Sequence, residues 1–549
     1  METGEEGFGG YEKLAGSSSS SYDFKVSSSG TETAPIAAAP TTMASNVVLN
    51  LPLLGLFHLQ STSVAVLFFS VLLATALLRR FRSGSSSSYP PSPPKIPIIG
   101  HLHRLGSLPH RSLAALSREY GPLMLLQLGR VPTLVVSSVE MAEEVLKAQD
   151  LVFASRPQFR AVAVVSTGCT PIAMAPYGEP WREARKTAVV HLLSSHRVQD
   201  LRPVREAEVA RLVGKISDQL SSSLQGSVVD VSRMLSSFTC SFVCRATLGL
   251  SDMEEGMTRE ITELIGRTAA VVGGSQLETF FPGLAWLGKF TGMDARLSEL
   301  AKRWQAVIRA LEEAARHGEC KGEGQPAQGK NDDDGTGFGR SSDGMKAVLQ
   351  EMITGATDTT YITIEGALEE LVRNPAAMNK AQEEVRAAVQ GRAPMLTDDD
   401  VSRMSYLKAV IKETLRLYPP APLLLPRESM KATRIRGFEI PAKTSVMINA
   451  WAIARNPDYW PSPEQFRPER FLRSRIDFKG SDFQFIPFGA GRRSCPGIHF
   501  ANAAVELALA NLLYHFDWSL PENCELGDRG LSMLKRRSLL LVVKPYRAS

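Results

Sequence analysis

The sequence predicts a mainly α-helical fold carrying small β-sheets, with an N-terminal transmembrane anchor. Three observations predict it. Long stretches, Val204–Leu311 and Met345–Arg373, repeat apolar residues with helical period. Only short β-branched runs break that pattern, among them Met124–Leu128 and Thr133–Ser137, which Gly129-Arg130 joins as a hairpin. An uncharged apolar run, Val64–Leu78, stands immediately before Arg79, Arg80 and Arg82.

Taken in order, Met1–Thr42 is rich in Ser, Gly and Ala, with the run Ser17–Ser21. Such composition buries too little apolar surface to offset chain entropy, so residues 1–42 read as a disordered extension or a mispredicted start before Met43. Glu2, Glu5, Glu6 and Glu12 speak against a plastid transit peptide, which is poor in acids. Residues 43–82 form the expected anchor: a helix over Ser61–Leu78 is long enough to cross a bilayer core, and the arginines after it place that end in the cytosol. A cleaved signal peptide needs the charge before the apolar run, the reverse of what stands here. Residues 83–100 are a Ser-rich spacer followed by the stiff segment Tyr89–Pro97. From 101 to 549 no second proline-rich boundary appears, so one large catalytic domain is expected. Within it Ser112–Tyr120 and Ala142–Ala148 read as helices, and the Gly- and Asp-rich His317–Gly344 as a surface loop.

A net charge of +5 over 549 residues does not point to nucleic acid. The cysteines (Cys169, Cys240, Cys244, Cys320, Cys495, Cys524) are sparse and irregular, so no disulfide framework is implied. Cys240 and Cys244 lie one helical turn apart without a histidine pair and read as small core residues.

The chemistry concentrates in Phe485–Ile498. Cys495 stands in a loop with Gly489, Gly491 and Gly497 and is preceded by Arg492 and Arg493. Glycines let the backbone approach a flat ligand, and a thiol just before a helix N-terminus is biased toward thiolate. Trp181 and Arg185 are four apart on one helix face, where an indole N–H and a guanidinium can both donate to a carboxylate. The long helix Met345–Arg373 carries Gly355-Ala-Thr-Asp-Thr-Thr360, a glycine and hydroxyl cluster that predicts a local kink. Asp358 and Thr359 there supply a carboxylate and a hydroxyl for proton relay. Glu413 and Arg416 form an i,i+3 pair on a helix that Pro419 terminates.

The spacing of Phe488, Gly491, Arg493, Cys495 and Gly497 fits F-x-x-G-x-R-x-C-x-G, and on it the chain resembles a cytochrome P450, a haem-thiolate monooxygenase. The motifs follow the family's order from Pro90 to the C-terminus. The wording of Ala175-Pro-Tyr-Gly, Asp358-Thr-Thr-Tyr and Phe466-Arg-Pro-Glu-Arg-Phe is similar to plant A-type microsomal members of the 71 clan. The resemblance implies haem b, with Cys495 as axial ligand of the iron, Phe488 and Gly497 beside it, and Trp181, Arg185, Arg427 and Arg493 on the propionates. It implies Asp358 and Thr359 as the proton relay for O2 reduction, and a buried structural network of Glu413, Arg416 and Arg470. It also implies that residues 83–100 act as a proline hinge beside the membrane.

No G-x-G-x-x-G lies between a strand and a helix, so electrons are expected from NADPH through a separate P450 reductase and not from a nucleotide bound by this chain. Arg473, Arg475, Lys479 and Arg492 are candidates for its docking surface, or an ordinary solvated face. By analogy, substrate walls come from Phe159–Thr170, Ile353–Gly355, Ala421–Leu425 and Leu531–Lys535; the aliphatic Ala421–Leu425 favours an apolar, small to medium substrate. An indole-derived, terpenoid or phenolic plant metabolite fits. The expected location is the endoplasmic reticulum membrane, single-pass, with the catalytic domain in the cytosol. The chain departs from the family at Ala356, where a glycine is usual, and at His317–Gly344, which replaces an acid-rich helical stretch. Other readings stay open: a reductase-independent isomerase or dehydratase, although relatives of that kind commonly lack the acid–Thr pair, and a haem-binding protein of little catalytic activity.

Overall fold

The computed structural model describes residues 70–71, 88–166, 171–221, 227–273, 277–320, 343–388, 394–522 and 538–546. The chain divides into two compact units, Met1–Ser85 and Ser86–Ser549. The first 42 residues and the expected anchor helix lie outside the described residues, except that Ser70 and Val71 are helical. Among the described residues no helix is long and apolar enough to cross a membrane.

All further elements belong to the second unit. In chain order they begin with α1 (Pro109–Tyr120), β1 (Leu123–Leu128), β2 (Val131–Val136), α2 (Arg160–Val165) and α3 (Glu179–Ala188). Then come α4 (Arg202–Ser221), β3 (Ser227–Asp230), α5 (Val231–Leu248), α6 (Met293–Cys320) and α7 (Asp343–Arg373). The last part holds α8 (Ser405–Leu417), β4 (Arg427–Glu428), β5 (Ser445–Ile448), α9 (Ile498–His515), β6 (Phe516–Ser519) and β7 (Leu540–Pro545). Helix dominates, with small sheets at the margins.

β1 and β2 pair antiparallel from Leu123↔Val136 to Leu128↔Val131, with Gly129 at φ +59° in the turn. Alternation of buried residues fixes that register, since a one-residue slip would turn Leu126 and Leu128 outward. β2 then pairs parallel with β5, and β4 antiparallel with β5, so the sheet order is β1-β2-β5-β4. This puts Arg427 on a sheet edge. A second sheet, β3-β7-β6, joins distant parts of the chain.

The proline segment lies along β1. Pro90 and Pro93 are buried, the Leu125 amide donates to the Pro91 carbonyl at 3.1 Å, and Gly100 bridges Leu128. At Gly100, φ is +62° and a Cβ would fall 2.0 Å from the Gln127 carbonyl oxygen, so only glycine permits the approach.

The core is built on α7, which packs against α5, α8 and α9. Ile353, Ile364, Ala367, Leu368 and Leu371 of α7 are buried, as are Leu235, Phe238, Phe242 and Val243 of α5. Asp230 caps α5 by accepting from the Arg233 amide at 3.0 Å, and Gly249 ends it in the left-handed conformation. Cys240 and Cys244 are fully buried in this layer.

α7 is continuous through Gly355–Thr360, where Thr359 donates back to the Gly355 carbonyl at 2.7 Å, a bond of the type that bends helices without ending them. The structure corrects one helical expectation. α6 continues to Cys320, past the expected loop start at His317; residues 321–342 lie outside the described residues.

Candidate haem-thiolate site

Cys495 stands at the end of a loop that two glycines shape. Gly489 and Gly491 have φ of +70° and +69°. A Cβ on Gly491 would sit 2.2 Å from the Leu146 carbonyl oxygen, so the loop reaches the turn of helix at Glu144–Ala148 only because that residue is glycine. The Cys495 amide donates to the Phe488 carbonyl at 2.9 Å and closes the loop, and α9 starts three residues on, at Ile498. Burial pushes the Cys495 thiol above its ordinary pKa, while the Gly497 amide and Arg185 pull it down. The helix terminus expected to bias Cys495 toward thiolate is present, yet in the protein alone desolvation outweighs it. A metal ion at the sulfur reverses that balance, since a coordinating thiol is deprotonated outright.

Trp181 and Arg185 of α3, Arg427 of β4 and Arg493 of the loop itself come together here from three separate segments. Arg493 is buried and donates to the carbonyls of Ala154 (2.6 Å), Ile172 (3.2 Å) and Ala175. Its guanidinium lies 4.1 Å from the centre of the Trp181 ring, and Trp181 Nε1 donates to the same Ile172 carbonyl at 3.1 Å. Arg185 donates to the Ser494 carbonyl at 2.8 Å. Arg427 reaches Asp150 at 3.1 Å and the Ala490 carbonyl at 2.7 Å. In the protein alone the indole and the guanidinium of α3 donate to main-chain carbonyls.

Sequence reasoning missed three members of the site. Arg156 is buried and donates to the carbonyls of Ala173 (3.0 Å), Leu425 (2.5 Å) and Pro426 (2.8 Å). Glu351 of α7 accepts from the amides of Ile172, at 2.5 Å, and Ala173. Asp150 holds Arg427 and also accepts from the Arg492 amide at 2.9 Å. A carboxylate within the apolar first half of the long helix was the signal that could have found Glu351; Arg156 and Asp150 carry no motif.

These cations are short of anions. Burial, followed by repulsion from Arg427, Arg493 and Arg185, holds Arg156 well below the usual guanidinium range. Burial and repulsion from Arg427 and Arg185 lower Arg493 to about 10. Burial likewise lowers Arg427, against the attraction of Asp150. A ligand with two carboxylates would relieve this excess, and a thiol stands beside it. The donor set therefore fits haem: Cys495 for the iron, the arginines and Trp181 for the propionates.

On α7, Asp358 is buried and Thr359 half-buried. Thr359 lines a small cavity of about 30 Å³ together with Thr360, Thr363, Phe488 and Ala501, so the hydroxyl helix and the cysteine loop meet there. The charge of Asp358 also pushes the Cys240 thiol up, although other causes of that rise are larger. The hydroxyls of Thr357 and Thr360 are buried without a protein partner. A larger cavity of about 420 Å³, lined by Arg111, Arg373, Trp451 and Arg455 among others, contains none of the predicted site residues.

Glu413 and Arg416 are fully buried and joined by two bonds of 2.8 and 2.9 Å. Arg470 adds a third bond to Glu413 at 2.9 Å, and the Arg467 amide a fourth at the same distance. Arg416 also holds the carbonyls of Ala454 and Pro463, each at 2.8 Å. The network ties α8 to the stretch before the cysteine loop.

Residues 90–546 match the family described as cytochrome P450. Norfluorocurarine oxidase of a Strychnos species is 43% identical over 453 residues, covering 80% of this chain and 88% of the relative. A phenylacetaldehyde oxime monooxygenase of Prunus mume is 41% identical over 515 residues, covering 89% and 96%. An indole-2-monooxygenase of Zea mays is 41% identical over 518 residues, covering 86% and 94%. With the buried arginines, the glycine-shaped loop of Cys495 and this match over nearly the whole second unit, the chain belongs to the cytochrome P450 family.

Proposed function

We propose that this P450 monooxygenase inserts one atom of O2 into an apolar small-molecule substrate of plant specialised metabolism, with electrons from NADPH delivered by a separate reductase. Haem ligated by a cysteine thiolate supplies O2 reduction and O–O bond cleavage, the thiolate pushing electron density toward the iron. Cys495 would hold the haem iron, and Arg185, Arg427, Arg493 and Trp181 would exchange main-chain carbonyls for propionate oxygens. Hydrogen bonds from charged donors gain strength where water is excluded, which is how these residues would orient the group.

The residues of α7 hold and move protons. Thr359 Oγ1 now donates to Gly355 and can turn outward as a donor, while the Asp358 carboxylate, one residue away, can replenish the proton. Phe488 lines the same small cavity as Thr359. Leu423 and Leu424, half-buried in the aliphatic Ala421–Leu425, favour an apolar substrate wall; residues 167–170 and 531–535 of the other expected walls lie outside the described residues. The relatives are named for norfluorocurarine, phenylacetaldehyde oxime and indole, which supports an indole-derived or other aromatic substrate, with terpenoids and phenolics as further classes.

The apolar run ending in Arg79, Arg80 and Arg82 supports a single-pass anchor in the endoplasmic reticulum membrane with the catalytic domain in the cytosol. Arg492, whose side chain is 52% exposed beside the cysteine loop, supports a reductase docking face there.

The observation that carries this reading is Cys495 set in a loop ringed by buried, under-compensated arginines. The test is a reduced-plus-carbon-monoxide difference spectrum with Cys495→Ala as control, followed by NADPH-dependent turnover of indole and aryl oximes with a plant reductase. A thiolate-type Soret band lost in the variant, and product that requires both reductase and NADPH, are expected. Product formed equally well without reductase would overturn the monooxygenase reading in favour of an isomerase or dehydratase.

A further inference from the structure

Glu351 lies on α7 two turns before Asp358, on the same side of the helix. The residue as a whole is half-buried, but its carboxylate sits deep among protein atoms, where burial pushes its pKa up to about 7. Each oxygen accepts one amide of a consecutive pair: Oε2 from Ile172 at 2.5 Å and Oε1 from Ala173. The carbonyls of the same short segment point to different partners. Ile172 O receives Trp181 Nε1 (3.1 Å) and Arg493 Nη1 (3.2 Å), Ala173 O receives Arg156 Nε (3.0 Å), and Ala175 O receives Arg493 Nη2. The segment is itself a tight turn, with the Met174 and Ala175 amides on the Pro171 carbonyl at 3.0 and 2.8 Å. One side of this turn is therefore fastened to the helix of Thr359, the other to the donors of the haem pocket. Among the described residues Glu351 is the α7 side chain that hydrogen-bonds this turn, next to Val348, which shares an apolar cluster with Ile172 and Ala175; its charge also favours Arg493 and Arg185.

We propose that Glu351 is a positioning residue for the haem: by receiving the Ile172 and Ala173 amides it holds the Pro171–Ala175 turn against α7, and so presents Trp181, Arg493 and Arg156 as one preorganised donor set. The inference rests on the haem reading of the site. It follows from donor and acceptor count. A carboxylate offers an acceptor to both amides, whereas an amide side chain must turn its NH2 toward one N–H. A buried amide so stranded is costly, and the turn moves to find water. Glu351 does not touch the reacting atoms in this arrangement; it acts through the turn.

The test uses the haem-loaded protein and the variants Glu351→Gln, Glu351→Ala and Glu351→Asp. Haem loss is followed by transfer to excess apomyoglobin, and hydrogen exchange is followed in peptides covering Ile172–Ala175 and α5. Glu351→Gln is expected to lose haem about tenfold faster, with protection lost at Ile172–Ala175 and kept in α5. Glu351→Asp, which keeps both acceptors on a shorter stem, is expected to recover part of each effect. Wild-type haem loss and wild-type protection in Glu351→Gln and Glu351→Ala would overturn the proposal. So would protection lost across α5 in all three variants, which would make the residue a general determinant of folding. Wild-type protein that takes up no haem would instead sink the haem reading, leaving the exchange pattern to judge the clamp alone.

Discussion

Arg493 and Trp181 share one acceptor: both donate to the Ile172 carbonyl, with the guanidinium 4.1 Å from the indole ring. The pair comes from residues 312 positions apart (493 − 181) and fixes the cysteine loop against α3. Planar guanidinium on an aromatic face, with hydrogen bonds around its edge, is a geometry that lysine cannot reproduce. Arg493→Lys is therefore expected to lower haem occupancy by roughly tenfold, as befits the loss of one or two charge-assisted bonds. The haem-to-protein absorbance ratio of purified protein checks this, and an unchanged ratio would refute it.

Breaking the buried network should cost the fold itself. Glu413→Ala leaves Arg416 fully buried with no counter-charge, since Glu413 holds Arg416 and Arg470 together. Removing one partner of a buried pair typically costs about 3–5 kcal/mol. Urea denaturation of the variant should show that loss, or the variant should fail to accumulate as soluble protein. A midpoint equal to wild type would contradict the role.

Glycine at 491 should be irreplaceable. Gly491→Ala combines φ of +69° with a Cβ 2.2 Å from the Leu146 carbonyl oxygen, so the loop must shift away from Glu144–Ala148. The backbone term alone is about 1–2 kcal/mol. A lower melting temperature and a reduced carbon-monoxide band are expected together; a stable variant with a full band would count against the constraint.

Thr359 should matter for coupling more than for assembly. Thr359→Ala removes a hydroxyl that bonds within its own helix, so haem binding should survive. Product formed per NADPH consumed is expected to fall by about tenfold or more, within the usual range for loss of a proton-transfer group. Equal coupling ratios in variant and wild type would remove Thr359 from the relay.

His110 gives a pH dependence of stability. It is 2% exposed, packed edge-on against Trp451, and burial followed by the charges of Arg111 and Arg455 lowers its pKa from 6.5 to about 4. The unfolded chain binds the proton first, so stability is full above pH 6.5 and falls as the pH drops toward 4. The loss from this group is at most about 3 kcal/mol at 1.36 kcal/mol per pKa unit. Urea midpoints measured across this window should flatten in His110→Phe; the same slope in both proteins would assign the effect elsewhere.

Much of this protein was legible in its sequence. The hairpin at Gly129-Arg130, the long helix ending at Arg373, the helix after Cys495 and the turn residues of the cysteine loop all follow from patterns only a few residues wide. Helical period, glycine freedom and the Pro419 stop act locally, so the sequence by itself determined a mainly helical fold and the place of its thiol. The tertiary structure decided which groups meet. Arg185 finds Ser494 across 309 positions, Glu351 finds Ile172 across 179, and Arg156 finds Leu425 across 269. It also decided the sign of the Cys495 shift, because a helix terminus acts over one turn while desolvation depends on everything packed around the sulfur. Burial is a property of the assembled chain, and it is burial that turns scattered arginines into one site.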